Sequence, residues 1–257
     1  EISCSLVGSE MCIRDRYELP AKQHFMLKKT VLTFAFLTIL TTFYGFNAQF
    51  STPVTDDMLL NDDAADFGNS LLGEGDYVIS AYDNVIRNIS EKEGHDWRLM
   101  SAIAYHESRF TPDITSRSGA RGLMQIMPSV ARQFDVPTEQ VSNPETNIWL
   151  ANKLMSKIMN TLRFPEGTPE KDRMSIILAS YNSGIGHVND ARRLARLNGE
   201  DPNSWEVVAR YLQLKAQPEY YESEAVKCGR FTGSRQTLAY VNDVIGRYDK
   251  YCRIARR

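Results

Sequence analysis

Histidine is scarce in this chain, and its placement narrows the chemistry. The four histidines stand at positions 24, 95, 106 and 187. His106-Glu107 begins like a zinc-protease motif, but the residue four positions after His106 is Phe110, where a second histidine would be required. No metal site is expected, and His106 reads as an exposed helix residue. Gly184-Ile185-Gly186 is too short for a dinucleotide fingerprint and follows no predicted strand. No cofactor is called for. Charge of one sign is missing too: 30 basic residues against 32 acidic ones give a formal net charge of −2. No basic face recommends a nucleic-acid partner. Runs of alternating polarity long enough for a sheet are absent, and no internal repeat is visible.

Long apolar runs are equally rare. The one that exists, residues 31–46, follows Met26-Leu27-Lys28-Lys29 and precedes Asn47-Ala48-Gln49. A basic start, an apolar middle and a small residue near the end make the layout of a secretory signal peptide. Residues 26–48 are therefore read as that signal, and the mature protein as exported to the periplasm. Phe46 is bulky for position −3, so a retained anchor with membrane association is the alternative, although about 16 residues is short of the ~20 that span a bilayer. No cysteine follows the run to support a lipoprotein anchor. Residues 1–25 lie upstream of this start, and the stretch from Ser5 to Arg16 resembles translated sequencing-adapter sequence. They are set aside as a non-native extension. Residues 49–75 carry Asp56, Asp57, Asp62, Asp63 and Asp66 with little periodicity, and read as a flexible acidic spacer. Residues 76–257 remain as one domain.

Cys4 and Cys12 fall in the excluded extension, leaving Cys228 and Cys252. In an exported protein two thiols suit one disulfide, or two independent buried thiols. Spacing alone does not choose between them.

The domain reads as mainly α. Asp96 before Trp97 predicts a capped helix running to about His106. Asn143-Pro144-Glu145 and Thr168-Pro169-Glu170 each place a cap residue ahead of proline at the first helical position. Ile148, Leu150, Ala151, Leu154, Met155, Ile158 and Met159 then supply one apolar stripe, and Met174, Ile177, Leu178 and Tyr181 another. Further helices are expected over 188–197, 205–212 and 238–251.

On the helix after Asp96, Trp97, Met100, Ala104 and Glu107 share a face with Ile103 beside them. Glu107 thus lies on an apolar face, in a last turn where the macrodipole disfavours negative charge. Both effects raise a carboxyl pKa, as a general acid requires. A structural glutamate paired with a core arginine would occupy the same position. Two later segments bear on that choice. Gly119-Ala120-Arg121-Gly122-Leu123-Met124-Gln125 is a glycine-punctuated turn. Ala179-Ser180-Tyr181-Asn182-Ser183-Gly184 ends a helix on a glycine stop.

The ordered set Glu107-Ser108, Gly122-Leu123-Met124-Gln125, Tyr181-Asn182 and Tyr240-Val241 resembles the family 1 lytic transglycosylases. The run Tyr181-Asn182-Ser183-Gly184-Ile185-Gly186-His187-Val188 looks like the membrane-bound F type. The resemblance extends from about Tyr77 to Tyr251. Ser180 stands where an alanine is commoner, and the solute-binding domain of full-length F-type proteins is not seen.

The resemblance implies a single lysozyme-like helical domain, of the α+β lysozyme-like superfamily, with a cleft for peptidoglycan glycan strands. It implies that Glu107 protonates the oxygen between N-acetylmuramic acid and N-acetylglucosamine. Glu107 then takes the proton of the muramic C6 hydroxyl as a 1,6-anhydro ring closes. Ser108, Ser116, Met124, Gln125, Tyr181, Asn182 and Tyr240 would line the cleft, with Gln125, Tyr181 and Asn182 making polar contacts. A hydrolytic muramidase would instead need a second carboxylate, and the nearest downstream acid, Asp113, sits in a Thr-Pro-Asp turn that reads as a solvated loop. A non-catalytic peptidoglycan-binding scaffold would have lost its acid, whereas Glu107 is intact.

Overall fold

A computed structural model describes residues 78–254. The expected signal, spacer and upstream extension lie outside the described residues. Helix α1 (Asp83–Lys92) is fastened to the incoming chain by Asp83. Its carboxylate accepts from the backbone N–H of Ile79 at 2.6 Å and of Ser80 at 2.9 Å. Helix α2 (Trp97–Ser108) begins where the cap predicts: the Asp96 side chain accepts from the Arg98 backbone N–H at 2.9 Å. Its central residues Met100, Ile103 and Ala104 are fully buried. Chain reversal after α2 uses Arg109 (φ 54) and Phe110 (φ 60), two consecutive left-handed residues with side chains. Such strain persists only where surrounding structure holds it.

The short helix α3 (Pro128–Gln133) and a 3-10 turn (Thr138–Ser142) lead to α4 (Pro144–Thr161). Asn143 caps α4 through the Thr146 N–H at 3.0 Å, as its position before Pro144 predicts. The buried stripe of α4 is narrower than its sequence suggests. Ile148 through Ile158 are buried, but Met159 is 45% exposed. Helix α5 (Glu170–Ser183) starts one residue later than predicted. Pro169 takes the cap position with φ −55 and ψ 138, and the Thr168 hydroxyl donates back to the Pro165 carbonyl at 2.8 Å. Glu170 and Asp172 in the first turn suit the positive helix end. Asp172 also accepts from the Trp205 N–H at 2.9 Å, so it caps a different helix.

Gly184, with φ 88, turns the chain directly into α6 (Ile185–Leu197), three residues earlier than expected. Then follow α7 (Trp205–Leu214), the single turn α8 (Pro218–Tyr221) and the long α9 (Ser234–Ile254). Helix α9 packs along α2 and α5, and α1 packs on both α2 and α4. Among the described residues no strand forms. The β pairing is confined to two isolated bridges, Thr115 with Arg121 and Arg121 with Ile126. The fold is mainly α, as expected. Also among the described residues, no helix is long and apolar enough to cross a membrane.

One polar cluster lies inside. Asp190 of α6 accepts from Lys215 Nζ at 2.6 Å and from the backbone N–H groups of Lys227 and Cys228, each at 2.9 Å. The Arg193 guanidinium is a further partner. Lys215 also donates to His187 Nδ1 at 3.0 Å, which fixes that histidine as neutral. A buried carboxylate is tolerated here because each oxygen has donors. The cluster pins the segment ahead of α9, where one of the two cysteines left open by the sequence lies. Cys228 is held at Asp190, whereas Cys252 is a free thiol on the last turn of α9, beside Tyr248. The Cys228–Cys252 bridge does not form.

Candidate active site

Glu107 stands one residue before the end of α2, with α5 and α9 contributing the groups around it. Its surface is only partly exposed. Desolvation pushes the carboxyl up to about 7, opposed in part by the hydroxyl of Tyr240. No second carboxylate among the described residues contributes to that shift. A glutamic acid near pH 7 is poised between donor and acceptor, as general acid-base chemistry requires.

Two buried tyrosines approach this carboxyl, in different states. Tyr181 of α5 is 6% exposed, and its hydroxyl donates to the Met124 carbonyl at 3.1 Å. Tyr240 of α9 is 1% exposed. Its hydroxyl faces the Glu107 carboxyl without a hydrogen bond of ordinary geometry. Burial first, and the Glu107 charge second, raise both phenols well above their usual range. Both remain neutral, and Tyr240 keeps a proton available to donate.

The turn that Ser108 and Tyr181 grip is built around Gly122 and Asn147. Gly122 has φ +75, and a Cβ there would lie 2.7 Å from Asn147 Nδ2. Only glycine fits on both counts. Asn147, fully buried on α4, accepts from the Met124 N–H at 2.7 Å. It donates to the Arg121 and Val141 carbonyls at 2.9 and 2.8 Å. Sequence reasoning missed it; the available signal was an asparagine beside Ile148 on a buried stripe.

The remaining predicted site residues sort by position. Ser108 is buried at the end of α2, with its hydroxyl 2.8 Å from the Leu123 carbonyl and 3.2 Å from that of Ala104. With one proton to give, it ties the helix to the turn through the shorter contact. Met124 is fully buried, its backbone held from both sides by Asn147 and Tyr181. Gln125 is half-buried at φ 46, and its amide nitrogen folds back onto the Gly122 carbonyl at 2.9 Å. Asn182 is half-buried and accepts from the Thr237 hydroxyl at 2.9 Å, a partner that no sequence motif announced. Ser116 is half-buried in the loop, where its hydroxyl accepts from the Ala120 N–H at 2.9 Å. Asp113 is exposed. His106, expected to be exposed, is half-buried between α2 and α9. Its ring lies 4.6 Å from that of Tyr240, and Nε2 is 3.5 Å from Asp243. Among the described residues no cluster of His, Cys, Asp or Glu could hold a metal.

Comparison with known proteins places this geometry. Residues 84–203 match the Transglycosylase SLT domain family. The chain is 34% identical over 173 residues to a membrane-bound lytic murein transglycosylase F of Marinobacter nauticus, covering 67% of this chain and 33% of that one. It is 38% identical over 154 residues to a protein of the same name from Shewanella loihica, covering 60% and 31%. The chain thus spans about a third of the length of these relatives. Among solved structures, the 70 kDa soluble lytic transglycosylase Slt70 of Escherichia coli overlaps 66% of this chain and 24% of its own. That overlap has 23% identity and a TM-score of 0.44. Helix α2 with Glu107, the Gly122–Gln125 turn and the Tyr181-Asn182 helix end all fall inside the segment that matches the Transglycosylase SLT domain family.

Proposed function

We propose that this domain is a peptidoglycan lytic transglycosylase in which Glu107 acts alone as acid and then as base. The observation that carries the reading is the state of Glu107: desolvated, with a pKa of about 7, and without a partner carboxylate among the described residues. A hydrolase of the usual two-carboxylate kind needs a second acid to activate water or form a glycosyl ester. A lyase does not. Glu107 donates its proton to the oxygen linking N-acetylmuramic acid to N-acetylglucosamine as that bond breaks. The substrate's own N-acetyl carbonyl supports the cation. The carboxylate then removes the C6 hydroxyl proton as the 1,6-anhydro ring closes, and Glu107 is returned protonated.

Of the residues assigned to the cleft, Gln125, Asn182 and the half-buried Ser116 offer polar groups to substrate. Ser108, Met124 and Tyr181 shape the wall from within, and Tyr240 faces the acid. The relatives are membrane-bound murein enzymes by name. An envelope location suits them, with residues 26–48 of this chain as the export signal or anchor.

The test is the product. Purified enzyme on purified peptidoglycan should release 1,6-anhydromuramic ends, lighter by one water than hydrolytic ends. Glu107→Gln should lower turnover by about 10²–10⁴-fold, since the amide can neither donate nor accept the proton. Reducing ends alone, or near-normal turnover of the variant, would defeat the reading.

A further inference from the structure

Three aromatic or carboxylic groups meet at the α2–α9 seam: Glu107, Tyr240 and His106. Tyr181 cannot serve Glu107 as a donor, because its hydroxyl is spent on the Met124 carbonyl at 3.1 Å. Tyr240 is the phenol left facing the acid, and it has no ordinary hydrogen-bond partner to fix its ring. Against that ring lies His106, the residue next to Glu107. The two rings meet at 73° with centroids 4.6 Å apart, an edge-to-face contact of favourable geometry. His106 Nε2 in turn faces the Asp243 carboxylate at 3.5 Å, and Asp243 follows Tyr240 by three residues, one turn along the same helix.

We propose that His106 is a positioning residue, its ring holding Tyr240 so that the phenol hydroxyl stays directed at the Glu107 carboxyl. The proposal rests on Glu107 being the acid. The contact joins the end of α2 to α9, so it sets the distance between the acid and its one available phenol donor. The charged groups facing His106 are Asp243 and Arg247 from α9 and Arg109 from the end of its own helix. Burial lowers its pKa most, the two arginines add to this, and Asp243 opposes it. The ring is neutral at neutral pH, and the brace is its shape.

Variants of His106 separate ring from volume. His106→Phe keeps an aromatic ring against Tyr240. His106→Leu fills the space without one. The full chain is assayed on a soluble peptidoglycan fragment across pH, with a thermal melt for each variant. His106→Phe should turn over near the wild-type rate. His106→Leu should lose roughly tenfold in kcat, because a loosened donor costs orientation, while KM stays unchanged. Its alkaline limb should also move to higher pH, because the Tyr240 hydroxyl holds the Glu107 pKa down. Tyr240→Phe should move the limb the same way. Equal activity and equal pH profiles for the Leu and Phe variants overturn the proposal, as does equal impairment of both. If Glu107→Gln remains active, the functional reading fails first; if it is inactive while His106→Leu matches wild type, the brace alone fails.

Discussion

The Asn147 side chain occupies the space into which any side chain at position 122 would grow, with Nδ2 2.7 Å from where a Cβ would stand. The same amide accepts from the Met124 N–H and donates to two carbonyls. One buried group on α4 therefore sets the course of the turn that Ser108 and Tyr181 also grip.

Asn147→Ala should destabilise the domain by about 3 kcal/mol, because it strands the Met124 N–H and the Val141 carbonyl in the interior, while the Arg121 carbonyl keeps the Ile126 N–H. At roughly 2–4 °C per kcal/mol for a chain of this size, the melting temperature falls by about 6–12 °C. Gly122→Ala should cost about 2–4 kcal/mol from its left-handed backbone and the clash with Asn147. Calorimetry of both variants checks this. A double variant restoring stability would show the clash outweighs the backbone term.

The Glu107 carboxyl should make the protein less stable as pH rises. Its folded pKa, about 7, lies above the ordinary value of 4.5, so the folded state binds the proton more tightly. Its contribution is full below pH 4.5 and lost through pH 7. Glu107→Gln, which carries no charge, should be more stable than wild type at pH 8 by on the order of 2 kcal/mol. The difference should vanish at pH 4. Urea titrations at the two values read it directly.

His187 works in the opposite sense. Burial first, and the Lys215 charge next, lower it to about 4 from 6.5. The unfolded chain binds its proton more readily, so stability is full above pH 6.5 and declines as pH falls toward 4. His187→Asn should flatten that decline. A slope unchanged by the substitution would place the acid sensitivity elsewhere.

Cys252 is a free thiol and half-buried. It should alkylate without reductant, and Cys252→Ser should move the melting temperature little. Peptide mapping that joins Cys252 to Cys228 would contradict the structure.

Much of the helical frame is readable because its signals are local. Asp96 and Asn143 cap the helices they precede, and the α4 stripe from Ile148 to Ile158 is buried at helical spacing. The raised pKa of Glu107 also follows from sequence, since apolar neighbours on one face and a helix end suffice to argue it. The features that escaped depend on distant residues. Met159 belongs to the stripe by spacing yet faces out, 45% exposed. Thr168 loses its cap role to Pro169 through a choice of backbone angles that neither residue type dictates. Asn147, Thr237 and the His106–Tyr240 contact join residues 23, 55 and 134 positions apart or in neighbouring helices. No window of sequence contains both partners.

Tyr240 and Tyr248 belong to α9, the last element of the described chain, and Tyr248 reaches back to Asp96 at 2.9 Å across 152 positions. The surroundings of Glu107 are thus assembled from the first and last parts of the domain. A chain emerging from its N-terminus displays Glu107 long before α9 exists to desolvate it. Until α9 docks, that carboxyl is an ordinary surface acid, ionised at neutral pH and unable to give up a proton. The order of synthesis works as a safety catch, with the proposed acid desolvated only once the last described helix has docked.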